Sequence, residues 1–372
     1  MKVLDKVRDL NWLLVLLLAV IASIGFAMLY SAANGSFEPW AARQMVRFGI
    51  GAVAMLIVAL IDIRLWLRYA YLAYFASLAL LGSVEVIGTT GMGAQRWIDL
   101  GPVNVQPSEL MKLTMVLALA RYFHGLTLEH IARPTYLVVP LVLVIAPAAL
   151  VLRQPDLGTA ALLVLIGGAL FFLAGVRLWK FAVVFVGSLV AVPIAWQFLR
   201  DYQKTRILTF LDPESDPLGA GYHILQSKIA LGSGGVLGKG FLQGTQSHLN
   251  FLPEKQTDFI FTMLAEEFGI AGGFVLVGLY LLVVAYGLSI ALRCRHQFGR
   301  LLAMGLTMAF FLSVFLNIAM VMGLIPVVGM PLPLISYGGT AMLTTLIGFG
   351  LVIGVYIHRD LHIGRRWFVE QG

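Results

Sequence analysis

Runs of about twenty consecutive apolar residues recur along this chain, and that recurrence leaves few folds open. A helix rising 1.5 Å per residue needs about 20 residues to cross a hydrocarbon layer roughly 30 Å thick. Inside lipid every backbone N–H and C=O must be bonded within the protein, which leaves helical bundles and closed barrels. Barrel strands alternate apolar and polar residues, whereas these runs are continuous. The sequence therefore predicts an all-α, polytopic membrane protein, a bundle of about ten transmembrane helices with no soluble domain. The spans fall near 12–32, 45–61, 69–88, 107–124, 135–152, 157–174, 177–198, 258–291, 301–325 and 335–357. Residues 1–372 form a single membrane domain, interrupted by one large polar loop at 199–257 between helices seven and eight.

Charge sets the expected orientation. Fifteen Lys and Arg lie in the segments that would share one side with both termini, against Arg43, Arg47, Arg96 and Arg153 in the short segments opposite. Under the positive-inside rule both termini are cytoplasmic and the 199–257 loop is outside. The net charge of +7 follows from these helix-end residues and implies no nucleic-acid partner. The first apolar run is too long for a signal peptide and is read as a retained helix. The single cysteine, Cys294, cannot form an intramolecular disulfide. No internal repeat, ATP-binding glycine loop or zinc motif is present.

With this orientation the unusual charges gather at the outer edge. Arg96 lies between spans three and four. Glu109 and Lys112, three residues apart, share a face at the outer end of span four. Arg206 and Lys255 lie in the large loop, and Asp258 opens span eight. Charges at a membrane are costly and point to function by default, although Glu109 and Lys112 also suit a structural ion pair. Asp258, Thr262, Glu266, Gly269 and Gly273 form one helical stripe that should face the bundle. Asp258 suits a helix cap as well as a reactive carboxylate. The glycine-rich stretch from Gly232 to Gly240 fits no phosphate loop and reads as flexible.

At these residues the chain resembles a known family. Asp212-Pro213-Glu214-Ser215-Asp216-Pro217, Gln154-Pro155-Asp156-Leu157-Gly158-Thr159, Pro253-Glu254 with Thr257-Asp258-Phe259, and Pro331-Leu332-Pro333 with Ser336-Tyr337-Gly338-Gly339 resemble the shape, elongation, division and sporulation family. The resemblance runs through all ten spans. It implies a peptidoglycan glycosyltransferase of the bacterial cytoplasmic (inner) membrane that polymerises lipid II at the outer leaflet during elongation. The implied partners are a class B penicillin-binding protein and other membrane proteins of the elongation complex. The family's essential aspartate falls on Asp258. A general base there would take the proton of the attacking sugar hydroxyl. Lys112, Arg96, Arg206 and Lys255, with Glu109 beside them, are candidates for binding the substrate and its lipid diphosphate. A divalent ion, magnesium or manganese, would assist, and no organic cofactor is implied. The competing readings are a lipid II flippase, which needs polar residues at every depth, and a scaffold that only activates a penicillin-binding protein.

Overall fold

The computed structural model describes residues 8–91, 94–99, 101, 104–198, 201–212, 220–248, 254–327 and 329–364. Ten helices coincide with the predicted spans: α1 (Trp12–Ala32), α2 (Ala41–Leu60), α3 (Ile63–Ile87), α4 (Pro107–His124), α5 (Val138–Arg153), α6 (Leu157–Leu173), α7 (Leu178–Phe198), then α10 (Ile260–Arg293), α11 (Gln297–Val321) and α12 (Gly339–Ile357). Among the described residues seven spans are long and apolar enough to cross a membrane by length and composition alone, α5 counting as one together with the turn Pro134–Leu137 that precedes it. The helices at Leu157–Leu173 and Leu178–Ala191 are apolar but shorter, and α4 carries Glu109, Lys112 and Arg121. The bundle turns apolar side chains outward, among them Val53 and Ile57 of α2 and Val184 and Phe185 of α7. That pattern would be costly in water and is ordinary in lipid.

Successive spans alternate in direction, so their connections fall on two faces. One, the loop face, carries the segments that follow α1, α3, α5, α7 and α11. A small antiparallel strap closes part of it, with β1 (Thr89–Gly91) on β2 (Ala94–Asp99) and β2 on β3 (Asn104–Val105). The large loop holds more structure than the sequence suggests. It contains α8 (Asp201–Leu211) and α9 (Ala220–Ser233). Of the acidic turn at Asp212–Pro217, residues 213–217 lie outside the described residues, as does the side chain of Arg206.

The opposite face buries three histidines. His124, His296 and His358 are buried at the ends of α4, α11 and α12. His296 caps α11 by accepting the Gly299 N–H at 2.9 Å. Burial pushes its pKa down to about 4, so it packs there as a neutral ring.

Candidate active site

The turn at residues 254–259 delivers the chain into α10, and three consecutive carbonyls of that turn are held from outside it. The Tyr337 N–H donates to Gln256 O at 2.8 Å. The Ser336 hydroxyl donates to Thr257 O at 2.6 Å, and Asn317 Nδ2 donates to Asp258 O at 3.0 Å. Asn317 is fully buried on α11 and also donates to Met330 O at 2.6 Å. Ser336 in turn accepts the Leu332 N–H. The loop from Gly329 to Gly338 and the turn carrying Asp258 are therefore one hydrogen-bonded unit. A Cβ built on Gly329 would stand 3.4 Å from Asp258 Oδ2, so this loop lines the carboxylate.

Helix capping and reactivity were both open for Asp258. The residue at the cap position of α10 is Phe259, which makes no side-chain capping bond, and Asp258 lies one residue ahead of it. Thr257 bonds back into the turn, to Glu254 O and Oε2, rather than forward into the helix. Asp258 is partly exposed at the loop face, whereas the rest of its stripe, Thr262, Glu266, Gly269 and Gly273, is buried as expected.

The 34-residue α10 is not one continuous helix. Gly269 breaks it with φ 67° and ψ −167°. A break strands carbonyls on one side and N–H groups on the other, and at membrane depth these need protein partners. The glycine-rich loop supplies them. The N–H groups of Lys239 and Gly240 donate to the carbonyls of Glu266 and Glu267, while Ile270 and Ala271 donate to the carbonyls of Gly235 and Val236, all at 3.0 Å. A Cβ on Gly238 would lie 2.1 Å from Glu267 O, so only glycine permits that approach. The expectation of a plain flexible stretch at Gly232–Gly240 is corrected accordingly: it is a wedge packed into a broken helix.

Glu266 locks the wedge. It is fully buried and accepts from Lys239 Nζ at 2.8 Å, Thr245 Oγ1 at 3.2 Å and the Gln246 N–H at 2.9 Å. Its neighbour Glu267 points the other way and accepts from Ser31 of α1. Ser227 of α9 contacts Thr262 at 2.9 Å and donates to Val321 O at 2.8 Å, tying the loop to α10 and α11.

The remaining candidates divide by their surroundings. Glu109 is buried, accepts from Lys112 Nζ at 2.8 Å and from Thr344 of α12 at 3.3 Å. The ion pair thus exists, and it hangs from the same helix that the Ser336–Gly338 segment enters. Thr340, one turn before Thr344, bonds Asn104 O and the Gln106 N–H at the start of α4. Arg96 faces the turn between α5 and α6, donating to Gln154 O and Pro155 O and standing 3.6 Å from Asp156. Asp156 also caps α6 through the Thr159 N–H. Lys255 is buried in the Asp258 turn, and desolvation lowers its pKa. Asn317 and Ser336 were missed as functional residues. The signal for Asn317 was its polarity in the middle of an apolar span.

Among the described residues no three His, Cys, Asp or Glu side chains converge as metal ligands. What the geometry offers is a partly exposed carboxylate on a turn held by hydrogen bonds, a buried lysine in the same turn, and a lysine–glutamate pair on α4 that is tied to α12 through Thr344.

The family model for FtsW, RodA and SpoVE, described as cell cycle proteins, matches residues 10–361. The chain belongs to that family. A curated FtsW/RodA/SpoVE relative, the peptidoglycan glycosyltransferase MrdB of Escherichia coli K12, is 46% identical over 361 residues and 96% of each chain. Peptidoglycan glycosyltransferase RodA of Treponema pallidum is 32% identical, covering 94% of this chain and 98% of its own. Among solved structures, RodA of Thermus thermophilus superposes with a TM-score of 0.72 at 30% identity, over 95% of this chain and 98% of that one. A chain from a study of polymerisation and crosslinking by a peptidoglycan synthase complex superposes with a TM-score of 0.82 at 35% identity, over 95% and 99%. The protein is thus a multi-pass membrane protein of the FtsW/RodA/SpoVE fold.

Proposed function

We infer that this chain is a peptidoglycan glycosyltransferase that polymerises lipid II at the loop face, with Asp258 as general base. The observation that carries the role of Asp258 is the grip on its turn. Three successive carbonyls are held by Tyr337, Ser336 and Asn317, which fixes the backbone while the carboxylate stays partly exposed. Such a grip preorganises the base through its backbone.

In this reading a hydroxyl of the acceptor sugar attacks the anomeric carbon of the donor. The C–O bond to the lipid diphosphate breaks as the new glycosidic bond forms, and the hydroxyl proton passes to Asp258. The departing diphosphate gains charge and needs cations. Lys255 lies in the same turn, and Lys112 is reached through α12. Arg206 belongs with them by its place in the loop, and Arg96 shapes the strap and the 154–156 turn that border the site. Glu109 sets the position of the Lys112 ammonium. Both lipid tails stay in the membrane, which suits a site at the bundle's edge.

The same reading puts the loop face outside the bacterial inner membrane and both termini in the cytoplasm, from the asymmetry of Lys and Arg. It pairs the chain with a class B penicillin-binding protein, within a larger elongation complex, that crosslinks the strands. The relative in the peptidoglycan synthase complex supports such an assembly. Reconstitution in vesicles with labelled lipid II tests the function. Glycan polymer formed from lipid II added on the loop-face side is the expected result. Transfer of lipid II between leaflets without polymer would replace this reading with a flippase, and activity only through the partner would replace it with a scaffold.

A further inference from the structure

Arg47 is a further cation built into the loop-face end of the bundle, apart from the lysines and Arg96 described above. It is the seventh residue of α2, about 9 Å along the helix from its start at 1.5 Å per residue. Its side chain is held firmly. The guanidinium carbon lies 4.7 Å from the centroid of the Tyr337 ring. A Cβ on Gly339 would stand only 3.0 Å from its Nε, so the glycine makes room for it. Gln44, one turn earlier on α2, fixes the same loop by donating to Ser336 O at 3.0 Å.

Despite this, Nη1 of Arg47 is buried and makes no hydrogen bond among the described residues. No carboxylate among them forms an ion pair with Arg47 either, whereas Lys112, Arg96 and Lys239 each have one. A buried guanidinium N–H without an acceptor is expensive, and stacking on an aromatic ring offsets only part of that cost. The backbone N–H of Tyr337, whose ring carries the guanidinium, holds the carbonyl of Gln256, two residues before Asp258. Helix α12 begins at Gly339, beside the arginine, with no side-chain capping bond, so the helix itself supplies no acceptor for the N–H groups of its first turn.

We propose that Arg47 binds a phosphate of a lipid-linked diphosphate, the donor's leaving group. The proposal rests on the glycosyltransferase reading for the identity of the lipid, and on the unsatisfied guanidinium for the site. Arg47 then neutralises charge on the departing diphosphate from the side of α2, while Lys112 and Lys255 approach from α4 and the Asp258 turn. A planar fork suits a phosphate better than a point charge does.

The test uses the purified full chain in detergent, with farnesyl diphosphate, farnesyl monophosphate, farnesol and inorganic pyrophosphate as probes. Arg47→Met should weaken farnesyl diphosphate binding about tenfold or more, the loss expected for hydrogen bonds to a charged group. Farnesol binding should not change, and Arg47→Lys should recover part of the loss. Without ligand, Arg47→Met should melt at or above the wild-type temperature, because it removes a desolvated cation. Unchanged diphosphate affinity in Arg47→Met would overturn the proposal. So would a lowered melting temperature with equal losses for farnesol and diphosphate, which marks a structural arginine. Inorganic pyrophosphate binding as tightly as the farnesyl ester would overturn the lipid assignment. Binding is read without polymerisation. A wild-type chain that binds the diphosphate through Arg47 but makes no polymer would sink the glycosyltransferase reading and leave this site standing.

Discussion

Two carboxylates on one helical stripe, Asp258 and Glu266, are held in opposite ways. Glu266 is fully buried and its Oε1 accepts from Lys239, Thr245 and the Gln246 N–H. Asp258 is partly exposed, and its turn is held through its own backbone carbonyls by Tyr337, Ser336 and Asn317. The first arrangement binds a loop to a helix. The second fixes a backbone and presents a side chain. A polar stripe on a membrane helix thus contains two functions, separable by asking which atoms the protein uses to hold each acid.

The comparison predicts different failures. The largest loss of stability should come from Glu266→Ala, which strands Lys239 and the donors of Thr245 and Gln246. Removing one member of a buried pair costs several kcal/mol, and with Lys239 partly exposed about 2–4 kcal/mol is expected. The check is a lowered melting temperature together with faster proteolysis in residues 239–246. A Glu266→Ala chain that melts like wild type would remove the lock from the account.

Asn317→Ala should come next, with the balance reversed. It removes two hydrogen bonds to carbonyls, one of them to Asp258. Misplacing the base should lower the polymerisation rate by about tenfold or more, since small displacements of a positioned group are costly. Substrate affinity should hardly move. A loss confined to affinity would place Asn317 outside the positioning of Asp258.

The smallest effect concerns Lys255. Its folded pKa lies below the ordinary 10.5 because burial disfavours the charged form. The unfolded chain holds that proton more tightly, so stability rises as pH climbs from the lowered value toward 10.5. Over the same window the site loses a cation and substrate affinity falls. Lys255→Arg should move that alkaline limit of affinity upward, as a pH series of lipid II binding would read. An alkaline limit that stays in place would remove Lys255 from the binding site.

The sequence carries the ten spans plainly because each is a continuous apolar run, and helix boundaries follow from where those runs stop. It carries much less of what connects them. The strap at Thr89–Val105 has strands of two to six residues, too short for a periodic signal. The break at Gly269 leaves no mark in the helical stripe it shares with Asp258 and Glu266, because its hydrogen-bond partners lie some thirty residues earlier in the chain. Asp258 and the Glu109–Lys112 pair were legible as costly charges at a membrane edge. Arg47 counted only toward the charge balance, since what distinguishes it is the missing acceptor, which only three dimensions reveal.

The most direct test of the central claim is single-turnover polymerisation at saturating labelled lipid II by purified Asp258→Asn. Substrate binding and melting temperature are read on the same preparation. Asn keeps the size of Asp but cannot take the proton. The account predicts wild-type binding and melting, with the rate lowered by at least about 10²-fold, the low end for a lost general base. Polymerisation near the wild-type rate would contradict it and move the base to another residue, Glu109 first.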